Sequence, residues 1–84
     1  MNDLHKQLPG FVAAVHTADG GSFSAAARQL GVTPAAVGKS VAHLEAHLGV
    51  RLFNRTTRTL ALTAEGERVV AQARQALKIG RAHV

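Results

Sequence analysis

The sequence contains no cysteine, tryptophan or tyrosine, and only three phenylalanines, two prolines and one methionine in 84 residues. Without cysteine neither a disulfide scaffold nor a thiolate zinc site can form, which fits a reducing compartment. Three aromatic rings are too few for the stacking platform on which single strands and RNA are read. Acidic residues are scarce too, five against ten Lys and Arg. No nucleophile elbow, lysine-bearing phosphate loop or paired carboxylate stands out, so the sequence does not read as an enzyme. No apolar run approaches the roughly 18 residues of a membrane span, and residues 1–6 lack the apolar stretch of a secretory signal. A cytoplasmic domain with no membrane contact is expected.

What remains is small, basic and alanine-rich. A chain of this length holds one domain and buries only about 60% of its unfolded surface, so its core must be economical or supported by a partner. The net charge of +5 is unevenly placed. Up to Gly49, Lys6, Arg28 and Lys39 balance Asp3, Asp19 and Glu45; beyond it, Arg51, Arg55, Arg58, Arg68, Arg74, Lys78 and Arg81 face only Glu65 and Glu67. Clustered cations point to a polyanion partner, although a solvated helix face carries charge in the same way.

Leu4, Leu8, Phe11, Val12 and Val15 recur at helical spacing and predict a first helix to about Ala18, with Pro9 near its start. Asp19-Gly20-Gly21-Ser22 reads as a turn. Ser24-Ala25-Ala26-Ala27-Arg28-Gln29-Leu30 is a short, strong helix former, capped by Ser22 or Ser24 and stopped by Gly31. Thr33-Pro34 then reads as an N-cap followed by proline at the first helical position. The third helix carries Val37, Val41, Leu44 and Leu48 as one buried stripe, shows Ala35, Lys39, Ala42, His43 and Ala46 on its other face, and ends at Gly49. Alternation around Asn54-Arg55-Thr56-Thr57-Arg58-Thr59 predicts a two-stranded hairpin over about 51–62. Thr63 caps a last helix that places Glu65 and Glu67 in its positive first turn.

Two short helices joined by a glycine turn, the second opened by Thr-Pro, form a helix-turn-helix over about 23–42. Ala26 and Ala27 allow close helix approach. The Arg- and Thr-rich hairpin makes the unit winged, so the expected fold is mainly α: a three-helix core with a two-stranded β wing over 1–63, followed by a linker helix over 64–77. Ser22 and Ser24, at a helix N-terminus, suit a phosphate as well as a cap. His43 and His47 share a helix face at a metal-binding spacing, but no third ligand accompanies them and Glu45 is expected to point elsewhere; no metal and no cofactor are expected.

The sequence resembles the LysR-type transcriptional regulators of bacteria. The resemblance is carried by Phe11, Gly21-Ser22-Phe23-Ser24, Ala26-Ala27, Leu30, Val37, Leu44-Glu45, Leu48-Gly49, Leu52-Phe53, Arg55, Arg58 and Leu62-Thr63-Ala64-Glu65-Gly66, and extends from about 4 to 77. It implies sequence-specific binding of double-stranded DNA in the cytoplasm, at the nucleoid, by a transcription regulator. The family's contacting positions on the recognition helix, which enters the major groove, fall on Thr33, Pro34, Ala35, Ala36, Gly38 and Lys39, with His43 facing DNA or solvent near the groove. Pro34 stands where the family often has Gln, and Gly38 where it usually has Ser. Hydrogen-bond readout is therefore thin: Lys39 reaches a guanine edge or a phosphate, and Pro34, Ala35 and Ala36 offer apolar contact to thymine methyls. Gly38 costs about 1 kcal/mol of helix stability relative to Ala. By the same resemblance Arg58 enters the minor groove and Arg55 lies near the DNA backbone, reading shape more than base identity.

The resemblance also implies a linker helix that pairs two subunits, placing their recognition helices about one DNA turn apart. Val69, Val70, Ala73, Ala76 and Leu77 supply an apolar stripe for this, on a helix of about 21 Å. A full-length regulator of this kind forms a tetramer and binds a small-molecule effector in a C-terminal domain that this chain lacks. Residues 78–84 fit the linker pattern poorly. Ile79-Gly80-Arg81-Ala82-His83-Val84 matches the in-frame translation of ATC GGA AGA GCA CAC GTC, which resembles a widely used sequencing adapter. The expectation is that the frame passes into adapter after Leu77, a point decided by the genomic sequence downstream. Two other readings stay open: a winged helix of another regulator class, such as the molybdate-responsive type, and a basic helical module that docks an acidic protein.

Overall fold

The computed structural model describes the backbone of residues 2–55 and 60–79, and side chains over 6–55 and 60–77. Its elements run α1 (Asn2–Gly20), α2 (Phe23–Leu30), α3 (Pro34–Leu48), β1 (Phe53–Arg55), β2 (Leu60–Leu62) and α4 (Ala64–Ile79). This is the mainly helical, winged architecture expected. The hairpin is antiparallel, with Phe53 opposite Leu62, Asn54 opposite Ala61 and Arg55 opposite Leu60.

Each helix boundary has a local cause. Ser22 Oγ accepts the Ala25 N–H at 3.0 Å, and Thr33 Oγ1 accepts the Ala36 N–H at 3.1 Å, so each hydroxyl satisfies one of the orphan donors of a helix start. Gly31 and Gly49 close α2 and α3 in the left-handed region, at φ 72° and 75°. Thr63 binds the wing to α4: its Oγ1 donates to the Arg51 carbonyl at 2.6 Å and accepts the Gly66 N–H at 2.9 Å.

The helices converge on a core of small residues. Ala13, Ala14 and Val15 of α1 meet Ala26 and Ala27 of α2, and Val37, Val41 and Leu44 of α3, with Leu52 and Phe53 closing the wing side. Where α1 crosses α3, a Cβ on Gly10 would lie 2.8 Å from Leu44 Cβ, too close for any larger residue without displacement. At the wing junction a Cβ on Gly66 would collide with the Leu52 carbonyl. The alanines and these two glycines thus give a small chain its packing density.

Four sequence expectations need correction. Helix α1 runs through Pro9 instead of beginning near it. Pro9 is exposed, so the helix loses one backbone bond there without forcing a ring into the core. The predicted four-residue turn shrinks to Gly21 and Ser22, because α1 extends to Gly20. Leu48 is 37% exposed and is not part of the buried stripe, which stops at Leu44 because the chain turns away at Gly49. Val70 and Ala73, expected on a stripe for a second subunit, lie in the protomer's own core, because α4 packs back onto α1. An exposed ion pair between Arg74 and Asp19, at 2.6 Å, joins the same two helices.

Candidate nucleic-acid interface

Helical geometry divides α3 into two faces. Val37, Val41 and Leu44 point inward, so residues at the complementary spacing must face out. Ala35, Ala36, Lys39, Ala42, His43 and Ala46 are all exposed, as are Thr33 and Pro34 at the helix start. The predicted contacting positions therefore form one continuous strip, mostly of small apolar groups, with the Thr33 hydroxyl, the Lys39 ammonium and the His43 imidazole as its polar groups. Gly38 sits at its edge, half-buried, where an added Cβ would stand 3.5 Å from the Phe23 ring, an ordinary contact. The fold itself does not require glycine at this position.

Ser22 and Ser24 occupy the first turn of α2, and their environments differ. Ser22 is the N-cap and half-buried, its oxygen already engaged by Ala25 N–H, whereas Ser24 is exposed. Capping thus falls to Ser22, the alternative of Ser24 being excluded by its place inside the helix.

On the other side of the strip stands the base of the wing. Glu45 is 7% exposed and reaches from α3 toward the hairpin. Its Oε2 accepts the backbone N–H groups of Leu52 at 2.8 Å and Phe53 at 3.3 Å, and its Oε1 accepts from Arg55 Nη2 at 3.0 Å. Burial pushes the Glu45 carboxyl up. The two N–H groups and the Arg55 guanidinium outweigh that effect and hold its pKa below the ordinary value. The guanidinium also lies over the Phe23 ring, 5.7 Å from its centroid, and that ring meets Phe53 edge-on at 6.4 Å. Arg51 is 3.9 Å from the same carboxylate but 66% exposed, so its charge faces solvent. Arg58 lies outside the described residues.

Beyond the charge count, sequence reasoning named Glu45 and Phe23 only as carriers of the family resemblance, with Glu45 turned away from the two histidines, and gave neither a place in the site. The signal was available: Glu45 follows Val41 by four, on the inward stripe, and Arg51 and Arg55 follow it at a loop's distance. An acidic residue on an apolar stripe demands a partner.

Of the residues expected to join two subunits, Val69 and Leu77 are partly buried against the core and Ala76 is exposed. They line an open apolar groove of about 290 Å³ with Leu8, Phe11 and Leu48. Among the described residues no three His, Asp or Glu side chains gather to hold a metal, and no helix is long and apolar enough to cross a membrane.

Residues 8–67 match the model of the bacterial regulatory helix-turn-helix proteins of the lysR family. The probable HTH-type transcriptional regulator LtrA of Klebsiella pneumoniae is 47% identical over 74 residues, covering 88% of this chain and 24% of that protein. The HTH-type transcriptional regulator CrgA of Neisseria meningitidis is 47% identical over 78 residues, covering 93% and 25%. The chain thus spans about a quarter of the length of the curated relatives it matches. Among solved structures, the CbnR DNA-binding domain in complex with DNA superposes with a TM-score of 0.82 at 33% identity, over 89% of this chain and 87% of that one. Full-length OxyR C199D of Pseudomonas aeruginosa gives 0.83 at 32% identity, over 88% and 25%.

Proposed function

The chain belongs to the LysR family of bacterial regulatory helix-turn-helix proteins, and on that premise we propose that the exposed strip of α3 enters the major groove of duplex DNA while the wing reaches the adjacent minor groove. As the helix-turn-helix DNA-binding domain of a LysR-type transcriptional regulator, it carries the recognition function. The observation that carries the docking is the strip itself. From Thr33 to His43 every outward side chain is exposed, and the inward ones are fully engaged in the core.

In this pose Lys39 supplies the cation at a guanine edge or phosphate, and Pro34, Ala35 and Ala36 meet thymine methyls. Thr33 and Gly38 lie at backbone distance, Ser22 and Ser24 face a phosphate at the start of α2, and Arg58 occupies the minor groove. Similarity to the CbnR domain, solved in complex with DNA, supports DNA as the partner.

Two copies joined through Val69, Ala76 and Leu77 of α4, over the groove that Leu8 and Leu48 extend, bring the affinity of weak half-sites to a useful level. The full-length regulator, with its effector domain, builds tetramers from such pairs. A duplex titration at two salt concentrations tests the reading. Binding should weaken by about 0.9 log units per log unit of salt for each phosphate engaged. Salt-independent binding excludes it.

A further inference from the structure

Arg55 is a cation beside the proposed DNA surface, but its side chain is only 32% exposed and its Nη2 is committed to Glu45 at 3.0 Å. Glu45 also gathers the first two amides of the wing, Leu52 and Phe53, at 2.8 and 3.3 Å. The guanidinium carbon lies over the ring of Phe23, at the start of the first helix-turn-helix helix, 5.7 Å from its centroid, and Phe23 meets Phe53 of β1 edge-on. One carboxylate on the recognition helix therefore holds the strand base, and one guanidinium on the strand is held by both helices of the motif.

We propose that Glu45, Arg55 and Phe23 form a clamp that sets the angle between wing and recognition helix, and that Arg55 is a positioning residue and not a phosphate ligand. This rests on the DNA-binding reading. Arg suits the role, because one extended guanidinium donates to the carboxylate while lying over the ring; the compact ammonium of Lys reproduces the charge but does not span both partners in the same geometry. The cost of burying Glu45 is offset only while both of its oxygens are bonded, so the clamp engages as a unit.

The test is the affinity of the chain for a labelled mixed-sequence DNA duplex, with helix content followed by circular dichroism. Glu45→Gln removes a negative charge beside a polyanion, so electrostatics alone predicts tighter binding. The clamp predicts the opposite, a loss of about tenfold, the size of one lost contact to DNA. Arg55→Lys should lose a similar factor, whereas a phosphate ligand would survive that exchange.

Equal or tighter binding by Glu45→Gln, or wild-type binding by Arg55→Lys, overturns the clamp. Should Glu45→Gln fail to fold, Arg55→Lys decides alone. If the wild-type chain shows no salt-dependent DNA binding, the functional reading falls instead. Hydrogen exchange then judges the clamp: faster exchange in Arg55→Lys of the Leu52 and Phe53 amides, whose N–H groups Glu45 accepts, supports it, and unchanged exchange overturns it.

Discussion

In its N-terminal half α3 turns Pro34, Ala35, Ala36 and Lys39 to solvent, and in its C-terminal half it buries Glu45 under the wing. The first half is short of hydrogen-bonding side chains; the second concentrates three hydrogen bonds on one carboxylate. The contrast separates two tasks within a single helix. A surface that meets a ligand must leave its groups free, whereas a surface that sets geometry must use them up. In the proposed docking, small side chains serve the first task because they would let backbone and methyl groups come close to the duplex, at the expense of base-specific hydrogen bonds.

The sharpest way to break this contrast is Glu45→Ala. It leaves two buried amides and the Arg55 guanidinium without their acceptor, and should cost about 3 kcal/mol or more of stability in urea denaturation. An equivalent truncation in the other half should not affect folding. Lys39→Ala should leave the melting temperature unchanged and remove roughly 1–3 kcal/mol of discrimination at one base position, read by titrating duplexes varied at each site. Arg58→Ala should weaken binding across all sequences. If neither variant changes binding, the proposed contacts are wrong.

Gly38 lies in the first half, at the edge of the strip, and its replacement sharpens the comparison. Because a Cβ there makes only ordinary contact with Phe23, Gly38→Ala should stabilise the fold by up to about 1 kcal/mol. For a domain this size that corresponds to a melting temperature raised by roughly 4–8 °C. If the glycine serves close approach to DNA, the same variant loses affinity while gaining stability. A gain in both would show that the backbone stands clear of the duplex.

The smallest effect is one of pH. The folded pKa of Glu45 is below its ordinary value, so its stabilisation is complete above the ordinary glutamate range and is lost as pH falls through the folded value. Arg51 and Arg55 are the charged groups beside it. The urea midpoint of the wild-type chain should therefore fall on acidification more than that of Glu45→Gln. Parallel curves would mean that the carboxylate gains nothing from its partners.

The local grammar was legible without a structure. Ser22, Gly31, Thr33-Pro34, Gly49 and Thr63 start or stop helices through their own backbone preferences and nearest neighbours, so they mark boundaries wherever the rest of the chain lies. The inward stripe of Val37, Val41 and Leu44 and the outward strip from Thr33 to His43 follow from helical periodicity. The hairpin was visible in its alternation.

Relations between elements distant in sequence were not legible. Periodicity says that Val70 and Ala73 need a partner but cannot say whether the partner is α1 of the same chain or another subunit; only the docking of α4 decides that. Leu48 obeys the same period as Leu44 but emerges from the core because the chain has already turned. Periodicity puts Glu45 on the inward stripe but does not name its partners: Leu52, Phe53 and Arg55 lie across a turn, and a buried carboxylate is stable only once that turn has brought them within reach. Sequence alone determined the helices, the wing and the exposed strip of α3, since those depend on local backbone chemistry. Tertiary structure decided which apolar face is internal and which arginine is held, since those depend on where the chain returns.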